Sequence, residues 1–140
     1  MLYLDTSLLV AALTNEAATR QIQRWLGKQK PDDLAISDWV AAEFSAALSI
    51  KLRTEAIEAA HRAEALAMFT RLCDDNLQVV PVTRMQFRTA ARFADQYALG
   101  LSAGDVLHLA VCAEHGATIC TLDRRLSEAA PALGVSAVLL

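Results

Sequence analysis

Leu2-Tyr3-Leu4-Asp5-Thr6-Ser7 is a short apolar run that stops on an acid and two hydroxyls. Such a run, bounded by polar residues, reads as a buried strand. Ser7 to Leu13 then reads as a helix, and a second helix follows from Glu16 to Lys28, with Ile22, Trp25 and Leu26 on its apolar face. The same alternation recurs downstream. Leu34-Ala35-Ile36 reads as a second strand after the break at Pro31-Asp32-Asp33. Ser37 reads as the N-cap of a helix to about Arg53, and Thr54 as the cap of another to about Cys73. Leu77 to Val82 is a third strand. Thr83 with Gln86 three residues on is a capping-box signature for a helix to Tyr97. After the turn Leu99-Gly100-Leu101, Ser102 opens a helix that stops at Gly116. Ala117 to Leu122, Arg124 to Ala130 and Val135 to Leu140 complete the pattern as strand, helix and strand. Short apolar strands alternating with helices predict an α/β fold, with a parallel sheet of four to five strands covered on both faces.

The 140 residues suit one domain, 1–140. A chain that is 54% hydrophobic with only 5 Gly and 3 Pro is neither disordered nor collagen-like. The N-terminus lacks a basic leader followed by an apolar stretch, so no secretory signal is expected. No apolar run is long enough to span a membrane. Cys73, Cys112 and Cys120 are odd in number and include no C-x-x-C, which predicts reduced thiols in a cytoplasmic protein. His61, His108 and His115 have no zinc spacing, and no phosphate-binding glycine loop or serine-hydrolase elbow is present. The net charge of −3 argues against gripping nucleic acid through bulk positive charge.

A parallel sheet binds its ligands outside the carboxyl ends of its strands. Asp5 and Asp123 stand at two such ends, and Glu43 and Asp105 lie early in helices that start at the same edge. Taken singly, Asp123 reads as a helix cap and Asp105 as the partner of Ser102 in a capping box, while Asp5 stands where it could cap the helix that starts near Ser7. Glu43 is harder to explain structurally. Val40, Ala47 and Ile50 surround it at helical spacing, and no Lys or Arg lies one turn away. A buried carboxylate must be paired, protonated or bound to a cation. An all-oxygen acidic site suits Mg²⁺ or Mn²⁺. Such an ion lowers the pKa of its water and neutralises charge in phosphodiester hydrolysis. Setting the four acids aside leaves the rest of the chain close to neutral.

At these residues the chain resembles the PIN-domain nucleases. Leu2-Tyr3-Leu4-Asp5-Thr6-Ser7, Ile36-Ser37-Asp38 followed by Glu43, Ala103-Gly104-Asp105-Val106-Leu107-His108-Leu109-Ala110 and Thr121-Leu122-Asp123-Arg124-Arg125-Leu126 match that family's four motifs in order. A PIN domain of this length resembles the VapC-type and FitB-like toxins of prokaryotic toxin–antitoxin pairs. The resemblance implies a Mg²⁺- or Mn²⁺-dependent endoribonuclease with an RNA substrate, a cognate antitoxin and a homodimeric state. It makes Asp5, Glu43, Asp105 and Asp123 the acidic quartet. Asp5 and Asp105 are then direct metal ligands, while Glu43 and Asp123 act directly or through water. Thr6, Ser7 and Thr121 offer orienting hydroxyls. The alanine-rich helices between Ala41 and Ala67 are, by the same resemblance, a groove for the antitoxin.

Arg124 and Arg125 start at the site edge and are the better candidates for phosphate contact. The rows Arg84/Arg88/Arg92 and Arg20/Arg24/Lys28 read as solvated helix faces. His108, one turn beyond Asp105, reads as a partly buried structural histidine. The competing reading is a non-catalytic PIN-like module that binds a partner. A haloacid-dehalogenase-like phosphatase is disfavoured, because Asp5 is followed by Thr6-Ser7 rather than by a second Asp two residues on.

Overall fold

The computed structural model describes residues 1–140. Five parallel strands form one sheet: β1 (Leu2–Leu4), β2 (Leu34–Ser37), β3 (Gln78–Val80), β4 (Thr118–Thr121) and β5 (Ala137–Leu139). Their spatial order is β3-β2-β1-β4-β5. Seven helices make the two outer layers: α1 (Thr6–Leu13), α2 (Thr19–Leu26), α3 (Asp38–Arg53), α4 (Ala59–Asn76), α5 (Arg84–Ala94), α6 (Ala103–His115) and α7 (Arg124–Ala129). α1 packs on α2, α3 and α4, and α5 packs on α6. This is the α/β/α architecture expected of alternating strands and helices.

β1 is central, and its Tyr3 and Leu4 are buried together with Ile36 of β2 and Ile119 of β4. Successive strands run outward from β1 to β3, and the chain then crosses back to place β4 on the other side of β1. The strand order therefore reverses between β1 and β4, the position where open α/β sheets form their ligand crevice. Asp5 follows one of these strands and Thr121 ends the other.

Several boundaries differ from expectation for physical reasons. Thr54 does not open a helix. It closes α3, with its N–H and its hydroxyl both donating to the Ile50 carbonyl at 2.9 Å. Glu55 then turns the chain at φ +60°, so α4 begins only at Ala59, after Glu58. Ser37 stands at the N-cap position of α3 but makes no cap bond, because its hydroxyl turns inward to Tyr3. β3 spans only Gln78–Val80, and Pro81 has no N–H to extend its ladder. α5 stops at Ala94, ahead of a 3₁₀ turn at Tyr97–Leu99.

The Thr83–Gln86 capping box forms: Gln86 N–H donates to Thr83 Oγ1 (3.2 Å) and Thr83 N–H donates to Gln86 Oε1 (2.9 Å). Thr83→Ala is expected to cost about 1 kcal/mol, seen as a lower urea midpoint with the same slope. No helix is long and apolar enough to cross a membrane. The three cysteines form no disulfide, and Cys112 and Cys120 are buried.

Candidate active site

The chain leaves β1 straight into Asp5, which caps α1 and is only 5% exposed. Its Oδ1 accepts from Ser7 Oγ (2.7 Å) and Leu8 N–H (3.2 Å), and its Oδ2 from Thr121 Oγ1 (2.7 Å). No lysine or arginine pairs with it. Burial pushes the Asp5 carboxyl above its ordinary range, and the Ser7 and Thr121 hydroxyls only partly offset this. Thr121 Oγ1 also accepts from Asp123 N–H (2.9 Å), and Ser7 Oγ accepts from Leu122 N–H (3.1 Å). These hydroxyls thus join the ends of β1 and β4.

Glu43 differs from expectation in two ways. Its side chain is half-buried, and Ala46 and Ile50 beside it are exposed, so it does not project from a buried stripe. It also has a partner, far away in sequence. His108 Nε2 lies 2.7 Å from Glu43 Oε2, and Thr6 Oγ1 donates to the same oxygen at 2.5 Å. Burial pushes the Glu43 carboxyl up, but the hydrogen bonds from His108 and Thr6 more than reverse it and hold it below its ordinary range. His108 is itself buried and continues inward to Tyr3.

Asp105 and Asp123 both cap helices. Asp105 Oδ2 accepts from Ser102 N–H (2.8 Å) while Ser102 Oγ accepts from Asp105 N–H (3.2 Å). Asp123 Oδ1 accepts from Leu126 N–H (3.1 Å). Each cap engages one carboxylate oxygen and leaves the other to the solvent side.

All four acids line one open cleft of about 340 Å³, together with Thr6, Ser7 and His108. No lysine or arginine lines it. No three acidic, histidine or cysteine side chains come together closely enough to hold a metal ion among themselves. The donor set nevertheless fits a hard divalent ion, which takes one or two carboxylates and keeps several waters. Asp5, buried and without a cation, supplies the electrostatic reason for one.

A family model for the PIN domain matches residues 2–131. The chain belongs to the PIN-domain family. No match to it was found among curated proteins. Among solved structures it is similar to FitAcB from Neisseria gonorrhoeae, at 18% identity and TM-score 0.72, covering 98% of this chain and 96% of that one. It is also similar to VapC20 of Mycobacterium tuberculosis, a toxin that cleaves the sarcin–ricin loop, at 20% identity and TM-score 0.74, covering 92% and 95%. VapBC2 of Rickettsia felis, bound to a DNA fragment from its promoter, matches at 16% identity and TM-score 0.68, covering 100% and 99%. At these identities the likeness is one of fold.

In this PIN domain Arg124 and Arg125 are exposed at the start of α7, and neither lines the cleft. Arg125 is turned to the loop before α6, where Nη1 donates to the Gly100 carbonyl at 3.1 Å. Arg124 makes no hydrogen bond and is the freer of the two. Sequence reasoning missed Tyr3 and Gly104. Tyr3 sits inside the first motif and read only as a strand residue. Gly104 precedes Asp105 in a helix with no turn to justify a glycine, and that was the available signal.

Proposed function

We propose that this PIN domain, taken as residues 1–140, is a Mg²⁺- or Mn²⁺-dependent endoribonuclease and the toxin of a type II toxin–antitoxin pair. One observation carries the reading. Four carboxylates separated by up to 118 positions line one cleft that contains no lysine or arginine, at the point where the strand order reverses. The solved relatives support it in kind, since one is a sarcin–ricin loop cleaving toxin and another a toxin–antitoxin complex from Klebsiella pneumoniae.

Asp5 and Asp105 would hold the ion directly, and Glu43 and Asp123 directly or through water. When bound, the ion supplies an acidified water and neutralises charge on the transferring phosphate. Ser7 and Thr121 orient Asp5, each donating to one of its oxygens. His108 and Thr6 keep Glu43 ionised. Asp105 and Asp123 present one free oxygen each while their caps fix the other. Arg124, exposed at the start of α7, would meet an RNA phosphate beyond the cleft rim. A small antitoxin would hold the enzyme inactive in the cytoplasm, and the active form is a homodimer.

A purified preparation is expected to cleave RNA with Mg²⁺ or Mn²⁺ and to stop in EDTA. Cleavage that persists in EDTA would sink the metal reading. A second reading is a partner-binding module without catalysis, favoured by the absence of any three-residue group able to hold a metal ion and by the capping work of Asp105 and Asp123. Tight partner binding with no cleavage at any Mn²⁺ concentration would select it.

A further inference from the structure

The Glu43 carboxylate is enclosed from both sides by residues with no other evident use. On one side, Oε2 meets His108 Nε2 and Thr6 Oγ1. Behind the imidazole, His108 Nδ1 lies 2.9 Å from Tyr3 OH, and Tyr3 OH lies 2.7 Å from Ser37 Oγ. Tyr3, Ser37 and His108 are all buried. The proton directions follow from the chemistry of the groups. An ionised carboxylate only accepts, so Nε2 carries the hydrogen. At Nδ1 the ring meets Tyr3 OH, and Tyr3 OH meets Ser37 Oγ, with hydroxyl hydrogens that turn to suit the ring. Every buried polar atom in the row has a partner.

On the other side, Oε1 lies against Gly104. A Cβ built on Gly104 would stand 2.6 Å from Glu43 Oε1 and 3.5 Å from Trp39 Nε1. Real Cβ atoms do not come that close. Gly104 is an ordinary helical residue without a positive φ. Backbone conformation therefore gives no reason for a glycine, and the missing side chain does. Trp39 Nε1 is buried without a hydrogen-bond partner, on the same side of the carboxylate.

We infer that Gly104, His108 and Tyr3 are positioning residues for Glu43. Gly104 leaves the space that Oε1 occupies, and His108, backed by Tyr3, tethers Oε2. Together they aim one carboxylate of the quartet into the cleft. The inference rests on reading that cleft as the nuclease site, and it extends the reading to the residues that hold one of its carboxylates in place.

Gly104→Ala tests it without weakening the helix, because alanine is the better helix former. The gain in helix propensity and the loss of the Glu43–His108 bond oppose each other, so the melting temperature is expected to move little. The metal-free protein is first followed by ¹⁵N NMR of His108. In the parent chain the Nε2 proton is held by Glu43 Oε2. In Gly104→Ala the Nε2–H signal shifts or is lost to exchange as Glu43 withdraws. Mn²⁺ affinity, measured by titration calorimetry, and RNA cleavage each fall roughly 10–100-fold, the usual cost of losing an outer partner of a metal ligand. In a Glu43→Asp background the carboxylate retreats by one methylene, and Gly104→Ala then changes Mn²⁺ affinity less than about twofold, a non-additive pair. His108→Gln, which keeps an N–H donor, retains more Mn²⁺ affinity than His108→Leu.

An unmoved His108 signal in Gly104→Ala, or an equal loss in both Glu43 backgrounds, would overturn the positioning role. A moved signal in a protein whose parent chain neither binds Mn²⁺ nor cleaves RNA would instead overturn the nuclease reading and leave the cradle standing.

Discussion

Asp5→Asn is expected to lower RNA cleavage about 10³-fold, equivalent to about 4 kcal/mol of transition-state stabilisation, while the fold becomes no less stable. The two effects separate because Asp5 is a buried carboxylate with no cation beside it. Asparagine keeps the shape and removes the charge. Its NH₂ must face Thr121 Oγ1, because the other oxygen position also accepts from the Leu8 backbone N–H, which an NH₂ cannot do. The Thr121 hydroxyl has a lone pair with which to accept instead of donating. The cost of that rearrangement is small beside the cost of an unpaired buried charge.

The same residue sets a pH signature. Burial raises the Asp5 pKa in the folded chain above its unfolded value. Between the two values the folded chain keeps a proton that the unfolded chain has lost. Stability contributed by Asp5 is therefore full below the unfolded value and falls as pH rises through the window. Glu43 runs the other way, since its folded pKa is lowered and its contribution is lost on acidification. Subtracting the Asp5→Asn profile from that of the parent chain isolates the Asp5 component. Urea midpoints of the metal-free proteins should show the parent chain losing ground to Asp5→Asn as pH rises from the ordinary aspartate range toward neutrality. Added Mg²⁺ should restore the parent chain and leave Asp5→Asn little changed, because a ligand stabilises only the state that binds it. A difference profile that is flat in pH would show that Asp5 is not the strained charge described here.

The strand-acid-helix pattern around Asp5 was legible because each part is local. Three apolar residues, a cap and the helix behind it are neighbours in sequence, and the same holds for Thr83 with Gln86 and Ser102 with Asp105. Meeting of the four acids followed from topology alone, since a parallel sheet puts its strand ends and helix starts on one edge. Pairings across the fold were not legible. Glu43 appeared to need a cation because only its own helix was visible, whereas His108 reaches it from 65 positions away. Ser37 looked like an ordinary N-cap, but a buried tyrosine hydroxyl 34 positions away claims its oxygen. Thr54 carried the cap residue type without the backbone, which the left-handed Glu55 redirects. Residue type states what a side chain is able to do, and the tertiary neighbour decides which of those things it does.

Phe44→Ala is expected to have the largest effect on stability, about 3–5 kcal/mol. A domain of this kind is held by roughly 5–15 kcal/mol in all, so a fifth or more of the total rests on this ring. Val40, Phe44 and Leu48 recur every four residues on α3, and all three are fully buried. Phe44 stacks on Phe69 of α4 with ring centroids 4.5 Å apart and planes 13° from parallel. Truncation removes the largest side chain of that row and leaves a void that backbone packing closes only in part. Phe69→Ala should cost less, since Phe69 is 9% exposed, and the double variant should be less destabilised than the sum of the singles, because the stacked pair is lost only once. The row also fixes the rotation of α3. Successive helical residues are about 100° apart, so seating Phe44 in the core is what turns Glu43 toward the cleft. Phe44→Ala should therefore lower the urea midpoint sharply while the molecules still folded keep most of their Mn²⁺ affinity, because Val40, Leu48, His108 and Thr6 continue to hold the helix and its carboxylate in place. A loss of Mn²⁺ affinity larger than that of Gly104→Ala, measured under conditions where Phe44→Ala remains folded, would mean that the aim of Glu43 is set by the core of α3 rather than by the cradle around its carboxylate.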